Sequence, residues 1–336
     1  MFKKDKEFDI DFVMPWVDGS DPAWIEEFNK YCTADKTIDA RNIRYRDNGL
    51  LKYWFRAVEK YAPWVRTIHF VTCGQKPKWL NEQAEKLHCV SHSDYIPQNY
   101  LPTFSSHPIE LMMNKIPDLA EHFVYFNDDT YLTDCISKEY FFSGDFPRDL
   151  AILSPITKTH IPHIVLNDIQ EINKYFNLSK TLKKNFFKWF SPKYGCLIVR
   201  TLCLLPWNYF TGFMRNHFPQ PYRKKTLDEV WNNSEDVLLD TMHSKFRNVN
   251  DVNQWLFRFW HLCKGDFIPT NDTKTKKLID LSQNIMITKT FCKNILKGKY
   301  KMVCINDEEC SDYEEKIKLL METFEKLFPE KSSFEI

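Results

Sequence analysis

Apolar and polar positions alternate in short blocks whose period switches repeatedly between two and about 3.6. Ile10, Phe12, Val13, Met14 and Val17 form a run that breaks at Asp18-Gly19-Ser20-Asp21, with Pro22 and Trp24 behind it, which predicts a strand feeding a turn. Leu50, Leu51, Trp54, Val58 and Tyr61 recur at helical spacing, with Asp47 as cap and Pro63 as stop, so a helix of about four turns is expected. Thr67–Cys73 reads as a strand, Lys78–Leu87 as a helix and Cys89–Tyr95 as a strand. Ser105 and Ser106, ahead of Pro108 and Glu110, predict a helix start, because hydroxyls satisfy the free amides of a first turn; that helix should end near Pro117. His122-Phe-Val-Tyr-Phe126 is almost wholly apolar, as a central parallel strand covered on both faces should be, and it stops abruptly at Asn127-Asp128-Asp129.

From about residue 165 to 265 the pattern is helical, through Leu166–Phe176, Leu182–Phe190, Leu197–Leu205, Leu227–Trp231 and Val252–Leu262. The chain then returns to a short apolar strand, Lys301–Ile305, that stops at Asn306-Asp307-Glu308, so two strands end in Asn-Asp and a further acid. A last amphipathic helix carries Ile317, Leu320, Phe324 and Leu327 behind a capping box of Ser311 and Glu314. Alternating strands and helices predict an α/β fold, a Rossmann-like, mostly parallel sheet with a helical insert. Its parts would be an α/β portion over residues 1–160, a helical insert over 161–265, and a return strand with the C-terminal helix over 266–336.

Composition narrows the chemistry. Only 8 of the 336 residues are glycine, so a glycine-rich phosphate loop has little to be built from, and any phosphate must be held mainly by side chains or a metal. Aromatics at 15% supply material for a large core. A net charge of +1 excludes a globally basic nucleic-acid binder, but residues 176–225 hold seven Lys, three Arg and no acid; those ten positive charges leave the rest of the chain at −9. With Phe186, Phe187, Trp189 and Phe190 among the lysines, this segment reads either as a surface for an anionic membrane or polyanionic acceptor, or as a solvated basic face on buried helices. No reading motif accompanies the charge, so nucleic acid is not an expected partner. Met1–Phe8 lacks the apolar core of a signal peptide, and the greasiest stretch, Cys196–Trp207, is short and interrupted by Arg200, so neither leader nor membrane span is expected. The ten cysteines form no C-x-x-C pair, which fits reduced packing thiols in a cytosolic protein.

Asp128 and Asp129 at a strand end could hold Mg²⁺ or Mn²⁺ against a diphosphate, because hard cations take carboxylate oxygens and share their shell with substrate phosphates; a polar turn is the alternative. Asp18-Gly19-Ser20-Asp21 would sit at the same sheet edge if the strands are parallel, or be an ordinary Asx turn. His217 lies in a proline-rigidified loop of the acid-free segment, where neighbouring cations should lower its pKa and favour a neutral imidazole able to take a proton. Arg247, near Asp251, could fork onto a phosphate or pair locally. His160 and His163 are left as structural, since no third metal ligand is nominated.

Taken together, these segments resemble the Stealth family of sugar-1-phosphate transferases, which includes bacterial capsular polysaccharide phosphotransferases and the catalytic subunit of N-acetylglucosamine-1-phosphotransferase. The resemblance rests on Ile10–Asp21; on Arg44, Leu51–Arg56, Tyr61–Arg66, Val71–Gln75, Leu101–Ser106, Glu110 and Tyr125–Asp129; on His217–Tyr222 with His243–Arg247 and Asp251–Phe257; and on Val303–Asp307. It implies a glycosyltransferase-A-like version of the sheet, a UDP-sugar donor, a polysaccharide or oligosaccharide acceptor, and transfer of a hexose or N-acetylhexosamine 1-phosphate onto a sugar hydroxyl with release of UMP. Carried onto this chain, Asp18, Gly19, Asp21, Arg44 and Asn127 would bind substrate, Asp128 and Asp129 a divalent Mg²⁺ or Mn²⁺, and His217, Arg247, Asp129 and Asp307 would surround the reacting phosphate, with His217 as base. Nucleotide sugar and metal would sit in residues 1–160, the catalytic loop in 161–265, and the return strand would complete the site. His107 stands before Pro108 where the family's Ser-Pro junction is expected. The implied location is cytoplasmic, at the inner face of the membrane if residues 176–225 touch lipid. Two other readings compete: a metal-dependent glycosyltransferase that releases UDP, and a non-catalytic polyanion- or membrane-binding module.

Overall fold

The computed structural model describes residues 8–32, 38–157, 161–215 and 217–336; the Met1–Glu7 segment, His160 and Asn216 lie outside the described residues. The principal strands are β1 (Ile10–Pro15), β2 (Ile68–Thr72), β3 (Leu87–Ser91), β4 (His122–Tyr125), β5 (Thr130–Leu132), β6 (Gln220–Arg223), β7 (Lys276–Asp280) and β8 (Met302–Asn306). A central sheet runs in the order β3-β2-β1-β4-β6, its first four strands parallel and β6 antiparallel to β4. A smaller sheet, β7-β8-β5, pairs β8 parallel with β7 and antiparallel with β5. This is the expected α/β arrangement, mostly parallel with an antiparallel edge strand.

The principal helices are α1 (Pro22–Tyr31), α2 (Leu51–Tyr61), α3 (Ser106–Leu111), α4 (Pro162–Tyr175), α5 (Lys224–Met242), α6 (Trp255–Lys264), α7 (Ile285–Leu296) and α8 (Tyr313–Leu327). Apart from α1, they cover the central sheet on both faces, which is why β4 and, but for Pro15, β1 are buried throughout. Ile10, Phe12 and Met14 pack with α2, α7 and α8 into one core, while Val13, Phe123 and Tyr125 join α3, α4, α5 and α6 in the other. Phe126 continues β4 between Phe12, 4.6 Å away, and the edge of Trp54, 5.3 Å away. Truncating a buried ring such as Trp54 would cost roughly 3–5 kcal/mol.

Several elements depart from the pattern-based expectation. Lys78–Leu87 forms turns instead of a helix, since Asn81 gives its backbone N–H to Phe334 and its side-chain amide to Ser333, both in the C-terminal tail. Asp47 does not cap α2; it accepts from Gly49 N, and the helix is 11 residues long, about three turns. The Ser311–Glu314 capping box is not formed, because α8 starts one residue later behind Asp312, whose carboxylate takes Lys316 at 2.6 Å. The long helical stretch is interrupted by β6, a strand of the central sheet. A helix not anticipated, α1, follows the first turn, capped by the Asp21 carboxylate on Ala23 N and Trp24 N. Cys263, Cys292 and Cys304 are buried, whereas Cys32, Cys73, Cys135, Cys196 and Cys203 are exposed, so packing explains only part of the cysteine set.

Buried Asp149 locks β6 to α6: Arg258 Nη2 (2.8 Å), Gln220 Nε2 (3.1 Å) and His261 (2.9 Å) converge on its carboxylate. Burial alone would raise the pKa of Asp149, but Arg258 and His261 outweigh it and hold the group ionised.

Burial pushes His92, just after β3, down to about 4 from its ordinary 6.5. The unfolded chain therefore binds a proton that the folded chain refuses between those two values. Stability should fall as pH drops through that window and level off below it, by about 3 kcal/mol from His92 alone. Urea unfolding from pH 7 to 4 checks this: replacing His92 by Gln should flatten the slope by up to ~1.4 kcal/mol per pH unit.

Candidate active site

Parallel β1 and β4 place their C-terminal ends on one side of the sheet, and β8 delivers Asp307 to the same place. There a cleft of about 270 Å³ opens, and Arg44, Asn127, Asp128, Asp129, His217, Arg247 and Asp307 all line it. Seven of the ten residues nominated from the sequence are thus brought together by segments distant along the chain.

The acidic floor is crowded. Burial first, and then the charges of Asp129 and Asp47, push Asp128 up to about 7. Asp47, a second cleft-lining carboxyl, is also raised, mainly by burial and in part by the charge of Asp18. Asp129 Oδ2 lies 3.0 Å from His217 Nε2 and accepts the Cys304 thiol at 3.3 Å, while its Oδ1 is buried without a partner. Burial lifts the Cys304 thiol well above its ordinary value, so it keeps its proton and donates a hydrogen bond to Asp129.

His217 corrects one expectation. Burial would lower its pKa, but the Asp129 charge and hydrogen bond overcome that and raise it above the ordinary value, with Arg247 opposing weakly. The lysines of the acid-free segment do not set its environment; a carboxylate from the end of β4 does. The imidazole remains 41% exposed at the cleft, where the Asn127 amide nitrogen lies 3.1 and 3.4 Å from its two ring nitrogens.

The opposite charge comes from two guanidinium groups. Arg247 donates to Ser106 Oγ at 3.0 Å, beside the Ser105 cap of α3. Its loop is held by Asp251, which takes Ser244 Oγ (2.6 Å) and Asn248 N (2.9 Å) and lies 2.8 Å from His107 Nδ1. His107 therefore anchors this loop, and Arg247 does not pair with Asp251. Arg44 pairs with Asp39 at 3.0 Å, and burial together with the nearby Arg247 charge lowers its pKa. Two cations so close favour an anion between them. Asp307 is held by Arg46 in a two-pronged pair at 2.7 and 2.6 Å, with the Arg46 guanidinium 3.8 Å above the Tyr313 ring.

Asp18, Gly19 and Asp21, expected to bind substrate, do not line the cleft. Asp18 accepts from Ser20 N and Oγ as an Asx turn, its backbone N–H goes to Gln75, and Asp21 caps α1 while taking Gln75 Nε2 at 3.1 Å. Gly19 N donates to the Tyr45 carbonyl at 2.8 Å, and a Cβ there would stand 2.5 Å from that oxygen, so the glycine permits a close backbone approach. The turn thus fixes Tyr45 and its neighbours. Arg46, Ser106 and Cys304 were not foreseen, and Asp47 was misread as a cap. The dense polar run Arg41–Asn48 ahead of α2 carried a signal for Arg46 and Asp47; nothing local marked Cys304.

The donor set suits a hard divalent cation. Asp128 is a carboxyl disfavoured by its own acidic neighbours, and Asp129 keeps an unpartnered buried oxygen, as carboxylates that share a cation do. Asp129, His217 and Cys304 place one ligand atom each within 4.8 Å of one another, but the protonated thiol adds nothing to an oxygen-seeking ion.

Comparison with known proteins follows the same segments. The family regions described as Stealth protein conserved regions 1, 2 and 4 match residues 8–32, 44–149 and 293–336. The capsular polysaccharide phosphotransferase WcwK of Streptococcus pneumoniae is 44% identical over 97% of this chain and 98% of its own. The exopolysaccharide phosphotransferase cps2G of Lactiplantibacillus plantarum is 41% identical over 98% and 96%, and the receptor polysaccharide phosphotransferase WefC of Streptococcus oralis 40% over 97% and 99%. Among solved structures, the bifunctional glycosyltransferase WbbM aligns with a TM-score of 0.37 at 10% identity, over 97% of this chain and 53% of that one, too distant to bear on function.

Because Asp129 raises His217, removing the carboxylate charge should reverse the shift. In metal-free protein, His217 should titrate above 6.5, and in Asp129→Asn below it, as followed by NMR of the ring protons.

Proposed function

The chain belongs to the Stealth family and is a phosphotransferase, and we propose that it moves a sugar 1-phosphate from a UDP-sugar onto a sugar hydroxyl of a capsular or exopolysaccharide acceptor. In that reaction the acceptor oxygen bonds to the sugar-linked phosphorus as the bond from that phosphorus to the bridging oxygen breaks. A phosphodiester forms and the bridging oxygen leaves with UMP. The observation that carries this reading is that Arg44, Arg247, Asp128, Asp129 and His217 line one cleft. Phosphoryl transfer is mostly positioning and charge neutralisation, and these are the groups it uses.

Arg247, fixed by Ser106, and Arg44 would neutralise phosphate oxygens. His217 would donate Nε2–H to Asp129 and take the acceptor proton at Nδ1, the resulting imidazolium being stabilised by the carboxylate 3.0 Å away. Asn127 would hold the ring plane, and Asp307, through Arg46, the segment just before α2. Asp128 and Asp129 would hold Mg²⁺ or Mn²⁺, which when bound supplies further neutralisation of phosphate charge.

Incubation with Mg²⁺ or Mn²⁺, a panel of UDP-sugars and capsule-type oligosaccharides should release UMP with a phosphodiester-linked product; release of UDP would contradict the proposal in favour of glycosyl transfer. His217→Ala should lower kcat by roughly 10²–10⁴, and Arg247→Ala by about 10² or more. A base must be neutral, so the rate should fall as pH drops through the raised His217 pKa.

A further inference from the structure

The basic segment carries apolar side chains that the fold leaves uncovered. Phe186 and Phe187 open a one-turn helix over 186–189, with Phe187 87% exposed. The chain then makes a seven-residue helix, Ile198–Leu204, in which buried Thr201 accepts the Leu153 backbone N–H at its Oγ1 (3.1 Å), while Val199 and Leu202 face outward. Trp207 (61% exposed) and Tyr209 (67%) follow directly. Buried Trp189 packs on Phe210 at 6.2 Å, which ties the 186–190 turn to the end of this stretch, so the apolar groups belong to one region. Lys180, Lys183, Lys184 and Lys193 are exposed there and make no ion pair among the described residues. A solvated basic face over buried helices would not leave Phe187 and Trp207 in water.

We propose that this region seats the protein on an anionic phospholipid surface, with Phe187, Trp207 and Tyr209 entering the headgroup boundary and the lysines meeting lipid phosphates. Three observations favour lipid. The exposed Lys180, Lys183, Lys184 and Lys193, with no acid in residues 176–225 to offset them, complement an anionic surface. Trp and Tyr are the side chains with an apolar body and a polar edge that suit a headgroup layer. No helix among the described residues is long and apolar enough to cross a membrane, so the contact is peripheral. The inference is independent of the reaction assigned to the cleft.

The test is flotation of the purified full chain with vesicles of phosphatidylcholine, with and without phosphatidylglycerol. Binding should require the anionic lipid and weaken with salt. The Phe187→Ser, Trp207→Ser double variant should bind at least about tenfold more weakly, and Lys183→Glu, Lys184→Glu should lose most of the salt dependence. These residues are exposed, and unchanged thermal unfolding would certify that the fold is kept. No partitioning onto anionic vesicles, or partitioning that both variants retain in full, would overturn the proposal. So would binding of the same residues to an anionic polysaccharide with none to vesicles.

Discussion

Like-charged carboxyl groups crowded into a buried cleft set the constraint around which the rest of this molecule is arranged. Burial, with the charges of Asp129 and Asp47, raises the cost of ionising Asp128, and burial with the charge of Asp18 does the same for Asp47. The surrounding groups each relieve part of it: His217 leans on Asp129, Cys304 donates to it, and Arg247 lends its charge to Asp128. One buried oxygen of Asp129 remains unpartnered. A cleft with an unpartnered carboxylate oxygen on its floor and the Arg44 and Arg247 guanidinium groups lining its side suits a phosphate substrate that arrives with a divalent cation.

Holding that arrangement requires strands to deliver residues from far apart. β4 ends at the acidic pair because its apolar residues are consumed by two cores, so the chain turns polar where the sheet runs out. β6 brings His217 across by lying antiparallel beside β4, with Gln220 opposite Tyr125. It is locked from behind by Asp149, Arg258 and His261, a buried cluster in which the attraction has to offset the cost of desolvating each charge. Arg247 is aimed by Ser106 and by the Asp251–His107 anchor of its loop.

How much of this was legible depends on where each residue's partner lies. β4 and its acidic end were readable because burial on both faces writes an uninterrupted apolar run. β6 was not, since Gln220-Pro-Tyr-Arg223 carries no strand pattern; Arg223 is buried only because Asp145 and Asp266 neutralise it. The Asp18–Asp21 turn could equally be ligand or scaffold from its sequence, and its close approach to the Tyr45 carbonyl at Gly19, a contact between distant segments, has no local signal. Arg46 finds Asp307 261 residues away, which no local pattern announces. His217 lines the cleft as expected, yet its electrostatics were misassigned, because its segment carries lysines in sequence while its spatial neighbour is Asp129.

The claim that this acidic floor is an ion site for phosphate chemistry is tested most directly by equilibrium Mn²⁺ binding, read by EPR, on the wild-type protein and on Asp128→Asn and Asp129→Asn. The account predicts binding by the wild type and affinity at least about tenfold lower in each variant. Equal Mn²⁺ binding in all three proteins, or none in the wild type even with a UDP-sugar present, would contradict it.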